Sequence, residues 1–297
     1  MKKKLCIIIF CITIMFVFIP AYAYGDMGPK PSVVINFKGL EGEAYYATLL
    51  SETSSTGPYS AVGRFQGDLR YEKDDDDYEV WQKFVDYEDE DGYYFLQYFE
   101  DCTRTSQFRW GYYPPQKFKI LVYFPDLDNF VVSEIYEQYA FDSYFKADAT
   151  NMELLPLSII EGIKVETDYN YTWEIISLII RIITTIAIEV LVALFFGYRD
   201  KNQLRIILKT NIATQVILNV MLNTVNYFLG GLVFVLSYFL AEIFVFIIEA
   251  SIYSNLLTKQ STDRLAKKSY AILYALAANA ASFFLGYQIA KVIPGIF

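Results

Sequence analysis

The 297-residue sequence contains no histidine and only three cysteines. The lack of histidine excludes Ser-His-Asp and Cys-His catalysis, HExxH zinc sites and a histidine proton switch. Cys6 and Cys11 lie in the apolar N-terminus, so Cys102 is the only cysteine beyond it and has no intrachain disulfide partner. Walker and Rossmann motifs are also missing from the sequence. We therefore predict no enzymatic activity and no cofactor.

Hydrophobic residues are abundant instead. They make up 54% of the chain, aromatic residues make up 18%, and the net charge is −9. An acidic soluble protein is rarely this hydrophobic, so the composition predicts a membrane protein with the lipid bilayer as a partner. The acidic excess argues against nucleic acid as a partner.

The N-terminus has the three regions of a secretory signal peptide. Lys2, Lys3 and Lys4 precede an apolar run from Leu5 to Ile19, and Ala21-Tyr22-Ala23 offers small residues at a cleavage site. We predict a signal peptide over 1–23. A retained N-terminal anchor is the alternative.

Residues 173–297 alternate between long apolar runs and short basic segments. The runs predict four transmembrane helices, at about 174–197, 204–228, 231–257 and 269–291. The basic segments 198–209 and 258–268 are expected in the cytoplasm by the positive-inside rule. Residues 24–172 are then extracellular, as the signal peptide also requires. The predicted location is the cell membrane, with several membrane passes.

Residues 24–172 carry 12 Lys and Arg against 28 Asp and Glu, a net charge of −16. Short apolar segments separated by turn residues predict an antiparallel β-sandwich of the immunoglobulin or transthyretin type. Its clearest hairpin joins 117–124 to 130–134 around Pro125-Asp126-Leu127-Asp128-Asn129. The stretch 78–88 is compatible with a helix. The fold class is thus a multi-domain α and β membrane protein, with a sandwich followed by a four-helix transmembrane bundle.

An acidic run in this domain is a candidate calcium loop. Asp86, Asp89 and Asp91 precede Gly92, and carboxylates outside the cell can hold calcium. Tyrosine stands where an EF-hand loop needs its first and twelfth ligands, at Tyr87 and Tyr98. The expectation is weak calcium binding, with a solvated acidic loop as the alternative and no confident metal site.

Polar residues inside the predicted helices are the other candidate site, because intramembrane polar groups are costly. The predicted network comprises Arg181, Glu189, Asn211, Gln215, Asn219, Glu242, Glu249 and Asn279. Depth along the helices suggests an Arg181–Glu242 ion pair. The network either holds the helices together or lines a cavity for an ion, a proton or a small ligand. The small residues at 277–282 allow close helix packing, including packing in an oligomer.

Several short motifs carry a resemblance to a known group of proteins. They are Gly25-Asp26-Met27-Gly28-Pro29-Lys30-Pro31-Ser32-Val33, Phe37-Lys38-Gly39-Leu40, Ser54-Ser55-Thr56-Gly57-Pro58-Tyr59, Trp110-Gly111-Tyr112-Tyr113-Pro114-Pro115 and Thr210-Asn211-Ile212-Ala213-Thr214-Gln215. With them the chain resembles a family of uncharacterised membrane proteins from Gram-positive, clostridial-type bacteria. The resemblance implies the order of signal peptide, extracellular β domain and four transmembrane helices. It implies no mechanism.

A second comparison is with bacterial pentameric ligand-gated channels, whose second helix also carries a polar stripe. Asn211, Gln215, Asn219 and Asn223 look similar to that stripe. The extracellular domain is short for that family, and its proline-bearing loop has no counterpart here. Our main hypothesis is a membrane-anchored cell-surface interaction or sensory protein with an extracellular protein or envelope ligand. The alternative is an ion, proton or small-solute channel or transporter.

Overall fold

The computed structural model of the chain describes residues 28–62 and 70–292. The chain separates into two compact units, a β-rich unit over Pro29–Tyr169 and a helical unit that starts at Asn170. The predicted signal peptide over 1–23 lies outside the described residues.

The described part of the β-rich unit contains thirteen strands and one α-helix. The strands are β1 Ser32–Lys38, β2 Tyr46–Ser51, β3 Ser55–Thr56, β4 Tyr59–Ser60, β5 Tyr94–Phe95, β6 Glu100–Asp101, β7 Gln107–Trp110, β8 Lys117–Phe124, β9 Asn129–Val132, β10 Tyr136–Glu137, β11 Asp142–Asp148, β12 Ile159–Glu161 and β13 Lys164–Thr167. The helix, α1, spans Tyr78–Asp86, where the sequence is compatible with one.

Two sheets account for most of these strands. One has the order β13-β11-β1-β7, and the other has the order β12-β9-β8-β2-β5, with β10 beside β8 and β6 beside β2. The predicted β8–β9 hairpin is present. The prediction of a wholly antiparallel arrangement is wrong for β1 with β11 and for β9 with β12, which pair in parallel. Partners this far apart in sequence have enough intervening chain for the crossover that parallel pairing needs.

Alternate residues of both sheets meet in one hydrophobic core. Ile35 and Phe145 come from the first sheet, and Leu49 and Ile120 come from the second. The other face of the second sheet is covered by α1, whose Trp81 and Phe84 belong to a second cluster together with Leu121 and Tyr123. β8 is therefore buried on both faces, which explains why its sequence is almost continuously apolar instead of alternating.

The helical unit consists of α2 Tyr171–Phe196, α3 Lys201–Leu256 and α4 Lys268–Val292. Capping fixes their ends. The Asn170 side chain accepts a hydrogen bond from the Trp173 amide at the start of α2, and Gly197 takes the left-handed conformation at its end. Asp200 and Gln203 form a capping box at the start of α3.

Three helices in the described residues are long and apolar enough to cross a membrane, within Tyr171–Phe196, Lys201–Gln260 and Lys268–Ile289. The longest of them is interrupted at Gly230, whose φ of 79° and ψ of 175° are not helical. Residues on either side of Gly230 meet across the interruption, because Thr214 bonds to Glu249 and Tyr253 bonds to Asn211. The segments 201–229 and 231–256 therefore lie against each other.

Candidate functional site

The polar side chains of the helical unit gather around two buried glutamates. Glu189 of α2 and Glu249 of α3 are both fully buried. Around them lie polar residues from α3 and α4: Asn211, Thr214, Tyr253, Asn279 and Ser282. The sites predicted at Glu189, Asn211, Glu249 and Asn279 are thus brought together by three helices that are separate in sequence.

Glu249 has a hydrogen bond on each carboxylate oxygen. Its Oε1 accepts from the Thr214 hydroxyl at 2.7 Å, and its Oε2 accepts from the Asn279 amide nitrogen at 2.7 Å. Thr214 precedes Gly230 and Asn279 lies in α4. The Glu249 side chain therefore ties the second part of α3 both to the first part and to α4.

Glu189 is less completely satisfied. Its Oε1 accepts from the Ser282 hydroxyl at 3.3 Å, while its buried Oε2 has no hydrogen-bond partner in the described residues. The Tyr274 hydroxyl donates to the backbone carbonyl of Glu189 at 3.3 Å and so holds the main chain but leaves the carboxyl oxygen open.

Neither carboxylate is paired with a basic side chain. Every ion pair within 4.0 Å in the described part of the chain lies in the β-rich unit. The predicted Arg181–Glu242 pair is therefore wrong. The Arg181 guanidinium donates instead to Asn223 Oδ1 at 2.5 Å, an uncharged partner from the part of α3 that precedes Gly230. Lys209 is exposed and does not pair with Glu249.

Arg181 and Glu242 instead line one cavity of about 360 Å³. Gln215, Asn219 and Ser282 also face it, and the remaining lining is mainly aromatic and aliphatic. The Asn219 amide nitrogen donates to Gln215 Oε1 at 3.3 Å, whereas Gln215 Nε2 and Arg181 Nε are buried without a partner in the described residues. Because Ser282 both lines the cavity and bonds to Glu189, the cavity adjoins the buried carboxylates.

The sequence prediction missed four residues of this network: Thr214, Tyr253, Tyr274 and Ser282. Three of them have a signal in helical spacing. Thr214 follows Asn211 by three residues, Tyr253 follows Glu249 by four, and Ser282 follows Asn279 by three, so each shares a helix face with a predicted residue. Tyr274 has no such signal in the sequence.

The predicted calcium ligands do not form a metal site. No group of three or more acidic or cysteine residues in the described part of the chain could hold a metal ion. The Lys119 ammonium lies 2.9 Å from Asp89 Oδ1 and 2.6 Å from Asp91 Oδ2, while Asp86 accepts from Gln82. A lysine of β8 supplies the positive charge that calcium was expected to bring, which corrects the prediction at Asp86, Asp89 and Asp91.

Lys119 and Asp89 form a buried ion pair, with their side chains 7% and 1% exposed. Burial alone would lower the pKa of Lys119, but its hydrogen bonds to Asp91 and Asp89 raise that pKa above the ordinary lysine value. The Asp89 carboxylate also accepts from the backbone amides of Asp91 and Tyr93. The pair therefore fixes the acidic loop against the sheet.

Comparisons of the chain with protein-family models, with curated proteins and with solved structures give no match.

Proposed function

We propose that this chain is a membrane-anchored cell-surface interaction or sensory protein. An acidic extracellular β-sandwich would recognise a protein or envelope ligand, and a four-helix transmembrane bundle, with Gly230 dividing α3 into two spans, would anchor it. The supporting observation is the division of the chain into a β-rich unit with its own hydrophobic core and a unit of long apolar helices. The signal peptide predicted over 1–23 would place the β-rich unit outside the cell.

Topology can be tested with single introduced cysteines, because Cys102 is fully buried. Ser55→Cys in the β-rich unit is expected to react with a membrane-impermeant maleimide on intact cells. Lys209→Cys, in the predicted cytoplasmic segment, is expected to react only after the cells are lysed. Labelling of Lys209→Cys on intact cells would contradict the proposed orientation.

Ligand recognition can be tested with the full chain in lipid nanodiscs against purified envelope fractions. Since residues 24–172 carry a net charge of −16, a basic ligand should bind more weakly as the salt concentration rises. A variant with asparagine in place of the exposed run Asp74–Asp77 has less negative charge and an unchanged core, so it should bind a basic ligand more weakly. Lack of binding to every fraction would count against an interaction role.

A second candidate function is an ion, proton or small-solute channel or transporter. The observation that favours it is a pair of fully buried glutamates next to a cavity lined by Glu242. Glu242→Gln and Glu249→Gln should then abolish flux through the protein in proteoliposomes. Flux that persists unchanged in both variants would rule this function out.

A further inference from the structure

The helical unit buries two carboxyl groups without a compensating charge. Glu189 and Glu249 are both 0% exposed, and no lysine or arginine pairs with either one in the part of the chain that the structure describes. An ionised carboxylate in an apolar interior is costly unless a cation accompanies it. The pair must therefore be neutralised by protons or by a cation from solution.

The hydrogen bonds distinguish the two carboxyl groups. Glu249 accepts a donor on each oxygen, which is how proteins stabilise a carboxylate ion. The Asn279 amide nitrogen can only donate, so this contact favours an ionised oxygen at Glu249 Oε2. The Thr214 hydroxyl has a single hydrogen and also lies 3.1 Å from the Thr210 carbonyl oxygen, so it can either donate to Glu249 Oε1 or accept from it. The Asn279 amide is therefore the contact that favours a charged Glu249.

Two oxygens beside this charge have no hydrogen-bond partner in the described residues, and the Asn211 amide, whose buried nitrogen is also unpartnered there, faces Glu189. The two oxygens are Oε2 of Glu189 and Oδ1 of Asn279, on side chains that are more than nine-tenths buried. The Asn279 side-chain nitrogen bonds to Glu249, and the Ser282 hydroxyl lies 3.3 Å from Glu189 Oε1 and 3.0 Å from the backbone carbonyl oxygen of Asn279. These links place both free oxygens at the same cluster as the Glu249 carboxylate.

We propose that Glu189, Glu249 and Asn279 form a binding site for one small monovalent cation of the size of sodium. Glu189 Oε2 and Asn279 Oδ1 supply the open oxygen ligands, and Glu249 supplies the charge. Glu189 keeps its proton on Oε1, beside the Ser282 hydroxyl, so one cation balances the pair. A divalent ion fits less well, because calcium takes six to eight oxygens and magnesium retains several waters. The cavity reaches Ser282, whose hydroxyl lies 3.3 Å from Glu189 Oε1, and so lies next to this cluster.

This inference specifies a ligand for the second candidate function, but binding can be measured without flux. A sodium-dependent gain in stability without flux would support the binding site and argue against the transporter function. Flux without any sodium-dependent gain would overturn the site alone.

The experiment is thermal unfolding of the full chain in nanodiscs, with sodium chloride compared with N-methylglucamine chloride at equal ionic strength. The organic cation is too large for a site formed by buried side chains. The midpoint should rise with the logarithm of the sodium concentration, by roughly 5–10 °C at ~100 times the Kd. Equal midpoints in the two salts would overturn the proposal.

Acidification separates sodium binding from simple protonation. Protons should compete with sodium for the Glu249 carboxylate, so the sodium-dependent rise should shrink at low pH. The other titratable side chains that face the pair are Glu242, Tyr253 and Tyr274. A midpoint that changes with pH but never with sodium would mean that protons alone fill the site, and the proposal would be wrong.

Variants locate the effect. Glu249→Gln should abolish the sodium-dependent rise, and Asn279→Ala should raise the sodium concentration needed for it by at least about tenfold. Glu174→Gln, at the start of α2 and away from the cluster, should keep the rise intact. If Glu249→Gln does not fold, Asn279→Ala decides, and an unchanged sodium requirement in that variant would contradict the site.

Discussion

The two units of this protein bury carboxylates in opposite ways. In the β-rich unit, the Asp89 side chain is 1% exposed and its Oδ1 forms an ion pair with the Lys119 ammonium at 2.9 Å. In the helical unit, Glu189 and Glu249 are fully buried and receive only uncharged donors in the described residues. Charge balance is thus internal to the chain in the β-rich unit, whereas the described part of the helical unit supplies no counter-charge for its buried glutamates.

Lys119→Met should have the largest effect, because it removes the ammonium group that pairs with the buried Asp89 carboxylate. We expect a loss of about 3–5 kcal/mol in the free energy of unfolding of the β-rich unit. Urea unfolding followed by tryptophan fluorescence measures it, since Trp81 and Trp110 are buried there. The double variant Lys119→Met, Asp89→Asn should recover most of the loss. A single-variant loss below about 1 kcal/mol would contradict internal charge balance.

Gly230→Ala tests whether the helical cluster depends on the interruption of α3. Alanine at a φ of 79° and ψ of 175° is strained, so we expect destabilisation of about 1–3 kcal/mol. Gly231→Ala is the matched control, because a Cβ at that residue would meet no atom within 4 Å. The readout is the thermal midpoint in nanodiscs, and equal midpoints for the two variants would show that the turn tolerates a side chain.

Glu189→Gln should have the opposite sign to Lys119→Met. It removes a buried, uncompensated carboxyl group and keeps the shape of the side chain. In sodium-free buffer we expect the helical unit to gain about 1 kcal/mol or to stay unchanged. Calorimetry or a thermal shift assay in nanodiscs compares it with the wild type. A clear loss of stability would mean that the chain itself compensates this charge.

Alkaline pH should weaken the β-rich unit. The pKa of Lys119 is higher in the folded state than its ordinary value, so its ion pair is fully present below pH ~10.4 and is lost as the pH rises through the folded pKa. Burial also raises the pKa of Tyr45, to about 12, which adds a loss of stability in the same direction. Urea midpoints across this range should fall less steeply in Lys119→Met. If the urea midpoints of the two proteins fall equally steeply with pH, the Lys119–Asp89 ion pair does not contribute to the loss of stability.

Lys38→Met should have the smallest effect. Lys38 and Asp148 form an ion pair at 3.3 Å with side chains that are 53% and 34% exposed, so water already screens it. We expect a change of no more than about 0.5 kcal/mol in urea unfolding. A loss similar to that of Lys119→Met would show that burial is not what distinguishes the two ion pairs.

Local pattern was enough to predict much of the fold. The β8–β9 hairpin followed from turn residues between two apolar runs, and helix α1 was compatible with the stretch 78–88. The parallel pairing of β1 with β11 was not predictable, because register between distant strands depends on the whole domain. The continuous apolar run of β8 was a usable signal that both of its faces are covered.

For the candidate site, residue type and helical depth identified the members but not all of their partners. Arg181 and Glu242 were matched by depth, yet Arg181 donates its hydrogen bond to Asn223. Lys119 was overlooked because nothing in its neighbourhood along the chain marks it as the partner of Asp89, which lies thirty residues earlier. Position along the helix axis gives only the depth of a side chain. A hydrogen bond also requires that the two side chains lie on facing sides of neighbouring helices.

Composition and periodicity are local properties, and they were enough to divide this protein into a β-rich part and long apolar helices. The absence of histidine leaves any ion chemistry within those helices to glutamates. Which charges are compensated depends instead on the tertiary structure. It brought Lys119 to Asp89 across the sheet and left Glu189 and Glu249 among uncharged donors, because pairing depends on how distant segments pack.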